Sequence, residues 1–321
     1  MKLIDVVVVG AGWSGLTAAA CLQAAGRQVV VVDKARGPGG RSSTRRQDGF
    51  SFDHGAQYLT ARDEGFRAQV EAWRDLGLIT TWQPRIRVVG ARPDTANGSP
   101  EERLVGVPGM NAVLHYQASH LDCRFGWRVA AMERSDSWTL TSTTGQTLHA
   151  RHLVLTPPPE QTAALLGSAH PLSAQIASVP MSPTWALMLA FNVRVQTEFD
   201  AVFVNEGPLS WIARNGSKPA RQGNVWVAHA SPEWSEANLE CEQEFAERSL
   251  RQAFAEIMTF ARDLRPAVCR AHRWRYALCS VPLDVGAIDY PEHNLVVAGD
   301  WCAGNRIEGA WLSGRAAAGR V

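Results

Sequence analysis

Four consecutive valines, Val6 to Val9, run without a polar break into Gly10-Ala11-Gly12-Trp13-Ser14-Gly15, and an alanine-rich stretch follows to Gly26. β-Branched side chains without alternation suit a strand buried on both faces, as in the middle of a parallel sheet. The three glycines then have separate tasks. Gly10 permits a tight turn, Gly12 lets the backbone approach a pyrophosphate, and Gly15 lets the next helix pack on the strand. That helix opens near Trp13 and Ser14, where free amides favour an anion, and is predicted over Leu16 to Ala25 with Gly26 as its stop. A second apolar strand, in RQVVVVDKA, ends at Asp33, placed to accept from both hydroxyls of a ribose, with Lys34 beside it.

The chain of 321 residues, 45% hydrophobic and 20% charged, is long enough for one large domain or two interleaved ones. Thirty-two basic residues against 31 acidic ones leave no field that favours nucleic acid or an anionic membrane. Only Lys2, Lys34 and Lys218 are lysines. The six cysteines form no CxxC pair and no Cys/His spacing suited to zinc, so neither a disulfide scaffold nor a metal site is expected, and a reducing cytoplasm is the expected compartment. The first apolar run is short, interrupted by Asp5 and followed by a glycine turn, unlike a signal peptide. No segment approaches the ~20 apolar residues of a membrane span.

An acidic ribose ligand fits the AMP half of either NAD or FAD. The residues after Asp33 favour FAD. Gly37, Gly39 and Gly40 precede Arg41 in a loop whose amides and guanidinium can converge on the same pyrophosphate, as a long buried cofactor requires. Near the other end, a short strand (Leu295 to Ala298) leads into Gly299-Asp300 and then a helix opening at Glu308 or Gly309. Asp300 is suited to a ribityl hydroxyl. A helix N-terminus at Gly309-Ala310 would aim positive potential at the N1/C2 edge of a flavin.

The GPGGR loop and the closing GD…EGA pattern resemble the flavin amine oxidase-like family of FAD proteins. Across DKARGPGGRSSTRR, DHGAQYLTARD, GVPGM, PTWALMLAF, WIARNGSKP, AHRWRYA and GDWCAGNRIEGAWLSG, the chain is similar to the bacterial renalase group within that family. The resemblance implies an α/β fold with a Rossmann-like FAD-binding domain and a discontinuous α+β substrate domain, the architecture of p-hydroxybenzoate hydroxylase and the amine oxidases. The FAD-binding domain is expected over residues 1–58, 105–160 and 268–321, and the substrate domain over 59–104 and 161–267. It also implies Ala56, Gln57 and Tyr58 beside the isoalloxazine, the Val129 backbone at the adenine, although Val129 alone reads equally as part of a core strand, and Glu308, Gly309 and Ala310 at the flavin. The implied reaction is hydride removal from 2-dihydro and 6-dihydro isomers of NAD(P)H, returning NAD(P)+ and passing electrons to O2 to give H2O2. FAD is expected to be non-covalent, because Cys302 reads as a packed apolar thiol.

Several segments offer pocket residues. Strand alternation in AHRWRYA puts Trp274 and Tyr276 on one face, as pocket walls or as half-buried sheet aromatics. LSWIARNGSKP mixes Trp211 with Arg214 and Lys218, suiting a phosphate-bearing aromatic substrate or forming a solvated turn. VWVAHASPEWS supplies His229, and Trp311 is a further wall. His54 reads as a packed loop histidine. Two other enzymes fit the cofactor motifs, an amine oxidase and an NAD(P)H-dependent monooxygenase, and a flavin-binding redox sensor fits them too. The amine oxidase would want a lysine and acidic residues near the ring, and Lys218 is the lysine left to supply one.

Overall fold

In the computed structural model, which describes residues 3–91, 101–193, 195 and 197–321, the valine run lies in the strand Leu3–Val9. It sits between two parallel neighbours, Val29–Asp33 and Thr147–Leu155. Val6, Val7 and Val8 have no exposed surface, as a strand covered on both faces requires. The sheet continues to Leu295–Val297 on one side and Asp122–Phe125 on the other. An antiparallel meander, Val129–Arg134, Trp138–Ser142 and Thr147–Leu155, joins the same sheet.

The helix Trp13–Ala24 packs on this sheet beside the helix Ile307–Ala318. Their backbones approach closely because Gly314 lacks a side chain: a Cβ there would lie 2.4 Å from the Ser14 carbonyl oxygen. The Ser14 hydroxyl donates to the Ala310 carbonyl at 2.8 Å, tying the two helix openings together.

A second sheet of six strands runs in the order Val268–Cys279, Met181–Phe191, Asn224–Ala230, Leu209–Arg214, Ala201–Val204 and Ile86–Val89. One face buries Trp185, Leu187, Leu189, Ile212 and Trp226 under the helix Gln243–Ile257. That helix contributes Ala246, Leu250, Ala253 and Phe254, the three-to-four spacing of an amphipathic stripe. The opposite face lies over the cofactor half, where Phe52 fills a pocket of Met188, Ala190, Val225, Val227 and Val268. Among the described residues no helix is long and apolar enough to cross a membrane.

The division between the two halves differs from the expected boundaries. The strand Val268–Cys279, expected in the cofactor domain, pairs with Met181–Phe191 in the second sheet. Conversely, the helix Glu64–Asp75 turns Phe66, Val70 and Trp73 into the apolar cluster around the first helix, and Ile176 and Val179 join the cluster under the first sheet. An apolar stripe belongs to whichever half can cover it, and sequence position does not say which. Residues 92–100 of the expected substrate segment lie outside the described residues. The amphipathic helix Gln243–Ile257 does not reach back to Asn238, because Asn238 closes a preceding helix, Pro232–Ala237, and Glu242 is extended.

Candidate active site

The two halves enclose one large cleft of about 2200 Å³. Its cofactor side is built from the opening motif. Asp33 is locked in place by two amides, Ala11 N–H to Oδ2 at 2.6 Å and Ala35 N–H to Oδ1 at 2.7 Å. A Cβ on Gly15 would lie 1.9 Å from the Gly10 carbonyl oxygen, and one on Gly10 would lie 2.4 Å from Thr156 Oγ1. Gly12 differs: a Cβ there would meet nothing within 4 Å and would project into space on the cleft wall. The structure therefore keeps open the place where a phosphate would approach the backbone.

The second glycine cluster docks directly on the first. Gly39 N–H donates to the Ala11 carbonyl at 3.1 Å, and both Gly39 and Gly40 have positive φ, +145° and +51°. Arg41 follows at the cleft wall, paired through two nitrogens with Asp300 at 2.8 and 2.5 Å and donating to the Ala277 carbonyl. Each Asp300 oxygen still has a second lone pair that a ribityl hydroxyl could use. Trp13 lines the cleft and donates its indole N–H to Ser42. Val129, Trp127, Arg128 and Lys34 line the end beyond Asp33, and Lys34 donates to Gln161. Among the described residues, one continuous wall thus carries a ribose carboxylate, two glycine turns, an arginine and the opening of the last helix at Ala310. This set fits FAD.

Gln57 and Tyr58 line the cleft, but the Gln57 amide points back into the protein. Its Nε2 donates to the Asp53 and Gly55 carbonyls, and its Oε1 accepts from Lys218 at 3.2 Å. Ala56 N–H donates to the Arg41 carbonyl, so this turn is bound to the phosphate loop. Gly55 makes the contact possible, since a Cβ there would lie 1.9 Å from the Arg41 oxygen. Tyr58 stands 5.9 Å from Trp211 and 6.4 Å from Trp82 between ring centroids, and Trp211 packs on Phe203 at 4.7 Å. The buried Trp211 indole nitrogen has no hydrogen-bond partner among the described residues.

The substrate side continues with His229, His272, Trp274 and Tyr276, and with His54. The His54 carbonyl accepts from Trp274 Nε1 at 3.0 Å and from His229 Nε2 at 3.3 Å. A carbonyl only accepts, so His229 carries its proton on Nε2 and presents a bare Nδ1. Burial pushes the three histidines well below the usual imidazole range, His54 to about 3 and His229 and His272 to about 4. At neutral pH these three histidines are uncharged.

Four expected positions stand elsewhere. Lys218 is fully buried beneath Gln57, 3.4 Å from Asp53, which Arg221 also contacts at 2.8 Å. Burial alone would raise the Asp53 carboxyl, but Lys218 and Arg221 together hold it at about 2. The same burial brings Lys218 down to about 8, against the attraction of Asp53. Arg214 pairs with Asp200 at 2.5 Å, outside the cleft lining. Trp311 turns to the other side of its helix, 5.2 Å from Phe66 in the apolar cluster. Glu308 accepts from the Arg62 and Asp63 amides at 2.6 and 2.7 Å, at the start of the helix Glu64–Asp75. Gly309 packs too tightly on Gly304 for any side chain, and Ala310 beside it reaches the cleft. Three cleft residues carry more than the sequence assigns them. His272 and Gly55 have no distinguishing motif, and His54 is packed as expected but packed against the cleft. The same strand alternation that selects Trp274 and Tyr276 reaches His272 two positions earlier.

Comparison with known proteins agrees with this architecture. Residues 8–73 match the NAD(P)-binding Rossmann-like domain, and residues 85–321 match the family described as flavin containing amine oxidoreductase. Among solved structures, cyclohexylamine oxidase from Brevibacterium oxydans superposes with a TM-score of 0.75 at 16% identity, covering 99% of this chain and 98% of that one. Putrescine oxidase bound to putrescine gives 0.70 at 14% identity, with the same coverage. Curated relatives match a short segment. Human all-trans-retinol 13,14-reductase is 42% identical over 62 residues, 19% of this chain and 10% of that protein. Phytoene dehydrogenase of Streptomyces griseus is 50% identical over 58 residues, 18% and 11% of the two chains.

Proposed function

The chain belongs to the flavin-containing amine oxidoreductase family and uses FAD, and from that premise we propose that it oxidises dihydronicotinamide dinucleotides of the 2-dihydro and 6-dihydro forms. FAD held by Asp33, the two glycine turns, Arg41 and Asp300 would supply the two-electron acceptor for the hydride, with O2 as the final acceptor and H2O2 as its product. One observation carries the reading: the part of the substrate wall around Tyr58, Trp211, Trp274 and Tyr276 is aromatic, with no carboxylate beside these rings among the described residues. Tyr58, Trp211, Trp274, Tyr276 and His229 line it, while Lys218 is sequestered in an ion pair. The lining carboxylates are Asp33 at the ribose end, Asp300 held by Arg41, and Glu101, which is ion-paired with Arg62.

Such a wall stacks and orients a flat heteroaromatic ring. Loss of hydride from a dihydropyridine restores aromaticity without removing a proton, so positioning and exclusion of water supply the catalysis. His229 offers its bare Nδ1 to a carboxamide N–H. Arg214 and Lys218 act behind the wall, Lys218 by fixing the Gln57 amide. Oxidation of a small amine is the second reading. The Tyr58 and Trp211 rings in the cleft lining favour it, since aromatic faces attract an ammonium. A redox sensor is the non-enzymatic alternative.

Anaerobic stopped-flow mixing of the oxidised protein with 2-dihydro-NAD, 6-dihydro-NAD, NADH and simple amines separates these readings. Rapid bleaching by the dihydro isomers alone is expected. Bleaching by amines and not by the isomers would establish the amine oxidase, rapid bleaching by ordinary NADH a monooxygenase-like use, and slow reduction by every donor the sensor.

A further inference from the structure

The cleft has about twice the volume of the roomiest ordinary small-molecule pockets, which reach ~1,000 Å³. FAD and one ring do not account for all of its lining. Along the strand Val268–Cys279, Arg270 and the run His272 to Leu278 reach the cleft, and Arg270, His272, Trp274 and Tyr276 share one face of the strand. The row is anchored at its inner end, where the Arg41 guanidinium donates to the Ala277 carbonyl next to Tyr276. Its outer end, Arg270, is roughly 20 Å away at ~3.3 Å per extended residue.

His54 packs directly on the row, with its ring 4.9 Å from those of His272 and Trp274. The His54 side chain is 5% exposed, and its Nδ1 is buried without a partner among the described residues. Arg45, from the neighbouring strand Thr44–Gln47, lines the cleft, is exposed, and forms no ion pair among the described residues. Arg270 stands 3.5 Å from Glu247, and the intervening Arg273 and Arg275 are held by Glu240. An aromatic ledge therefore ends beside one cation, Arg45, whose charge is unopposed, and a second, Arg270, that is only loosely paired.

We propose that this arm binds the phosphate-bearing adenylate half of a dinucleotide substrate, with Trp274, His272 and His54 as its ledge and Arg45 and Arg270 as its cationic end. The inference rests on the dihydronicotinamide reading and adds the part of the substrate that the reacting ring does not define. Planar rings stack on such ledges, and guanidinium groups pair with phosphate oxygens.

The test uses the FAD-loaded protein and its Arg45→Glu variant, with flavin content and melting temperature confirming that the variant is folded. Each is titrated with NAD+ and with nicotinamide mononucleotide, which lacks the adenylate, by perturbation of the flavin spectrum. NAD+ affinity should fall about tenfold or more, the weight of one charge-assisted contact, while affinity for the mononucleotide changes less than about twofold. His272→Ala should move both ligands in the same pattern. Equal effects on the two ligands, or none, would overturn the proposal. Single-turnover reduction by 6-dihydro-NAD, run in parallel, separates the two claims. Discrimination in binding without flavin bleaching keeps the subsite and removes the oxidase, and bleaching without discrimination does the reverse.

Discussion

Lys218 Nζ lies 3.2 Å from Gln57 Oε1 and 3.4 Å from Asp53 Oδ2, and both charged side chains are completely enclosed. With Arg221 also on Asp53, two cations share one carboxylate. Asp53→Asn would leave both cations uncompensated and should cost about 3–5 kcal/mol, whereas Lys218→Met leaves the Arg221 pair intact and should cost far less. Urea unfolding of the two variants measures the contrast. The folded state brings Lys218 from its ordinary 10.5 to about 8, so the unfolded chain binds the extra proton between those values. Stability should rise as pH climbs through that window, and Lys218→Met should lose the rise.

The glycines of the first turn give a separable pair. Gly12 faces open space and Gly15 faces the Gly10 carbonyl. Gly12→Ala should melt at the temperature of the wild-type apoprotein and purify with little flavin. Gly15→Ala should be destabilised or insoluble whether or not FAD is added. Thermal melts and the ratio of flavin to protein absorbance distinguish them. Equal flavin loss with equal destabilisation in both would mean that Gly12 does not face the cofactor.

His54, His229 and His272 are held neutral, at about 3, 4 and 4. An unfolded histidine titrates near ~6.5, so acid favours the unfolded chain, which binds more protons. Each depressed histidine should contribute a slope of ~1.4 kcal/mol per pH unit between its two values, with stability lost as pH falls from about 6.5 toward 4. Urea midpoints at pH 7 and pH 5 should differ markedly. Substituting glutamine at His272 should flatten the difference.

Cys302 is fully buried and lies outside the cleft lining, and burial pushes its thiol far above the usual range. A thiol in that state is a poor nucleophile. Acid precipitation should therefore leave the yellow colour in the supernatant, and Cys302→Ala should retain full flavin content. Colour that stays with the pellet would indicate a covalent link.

The cofactor side was legible in the sequence because its determinants are local: Gly10, Gly12, Gly15 and Asp33 act through backbone geometry within one βαβ unit. Strand alternation likewise placed Trp274 and Tyr276, and carried further it also finds His272. Lys218 and Arg214 were not legible as ion-pair partners. Their carboxylates, Asp53 and Asp200, reach them through tertiary contact, and a basic loop reads the same whether it faces a ligand or the interior. Trp311 failed for a related reason. One helix turn decides between cleft and core, and only the packing of Phe66 selects the side.

The hydroxyl of Ser14 rests on the carbonyl of Ala310, and Gly314 seats its helix against the same turn. The coenzyme wall is therefore completed by two segments some three hundred residues apart in sequence, and neither closes it without the other. Any truncation that removes the last helix should yield apoprotein, however well the remainder is folded.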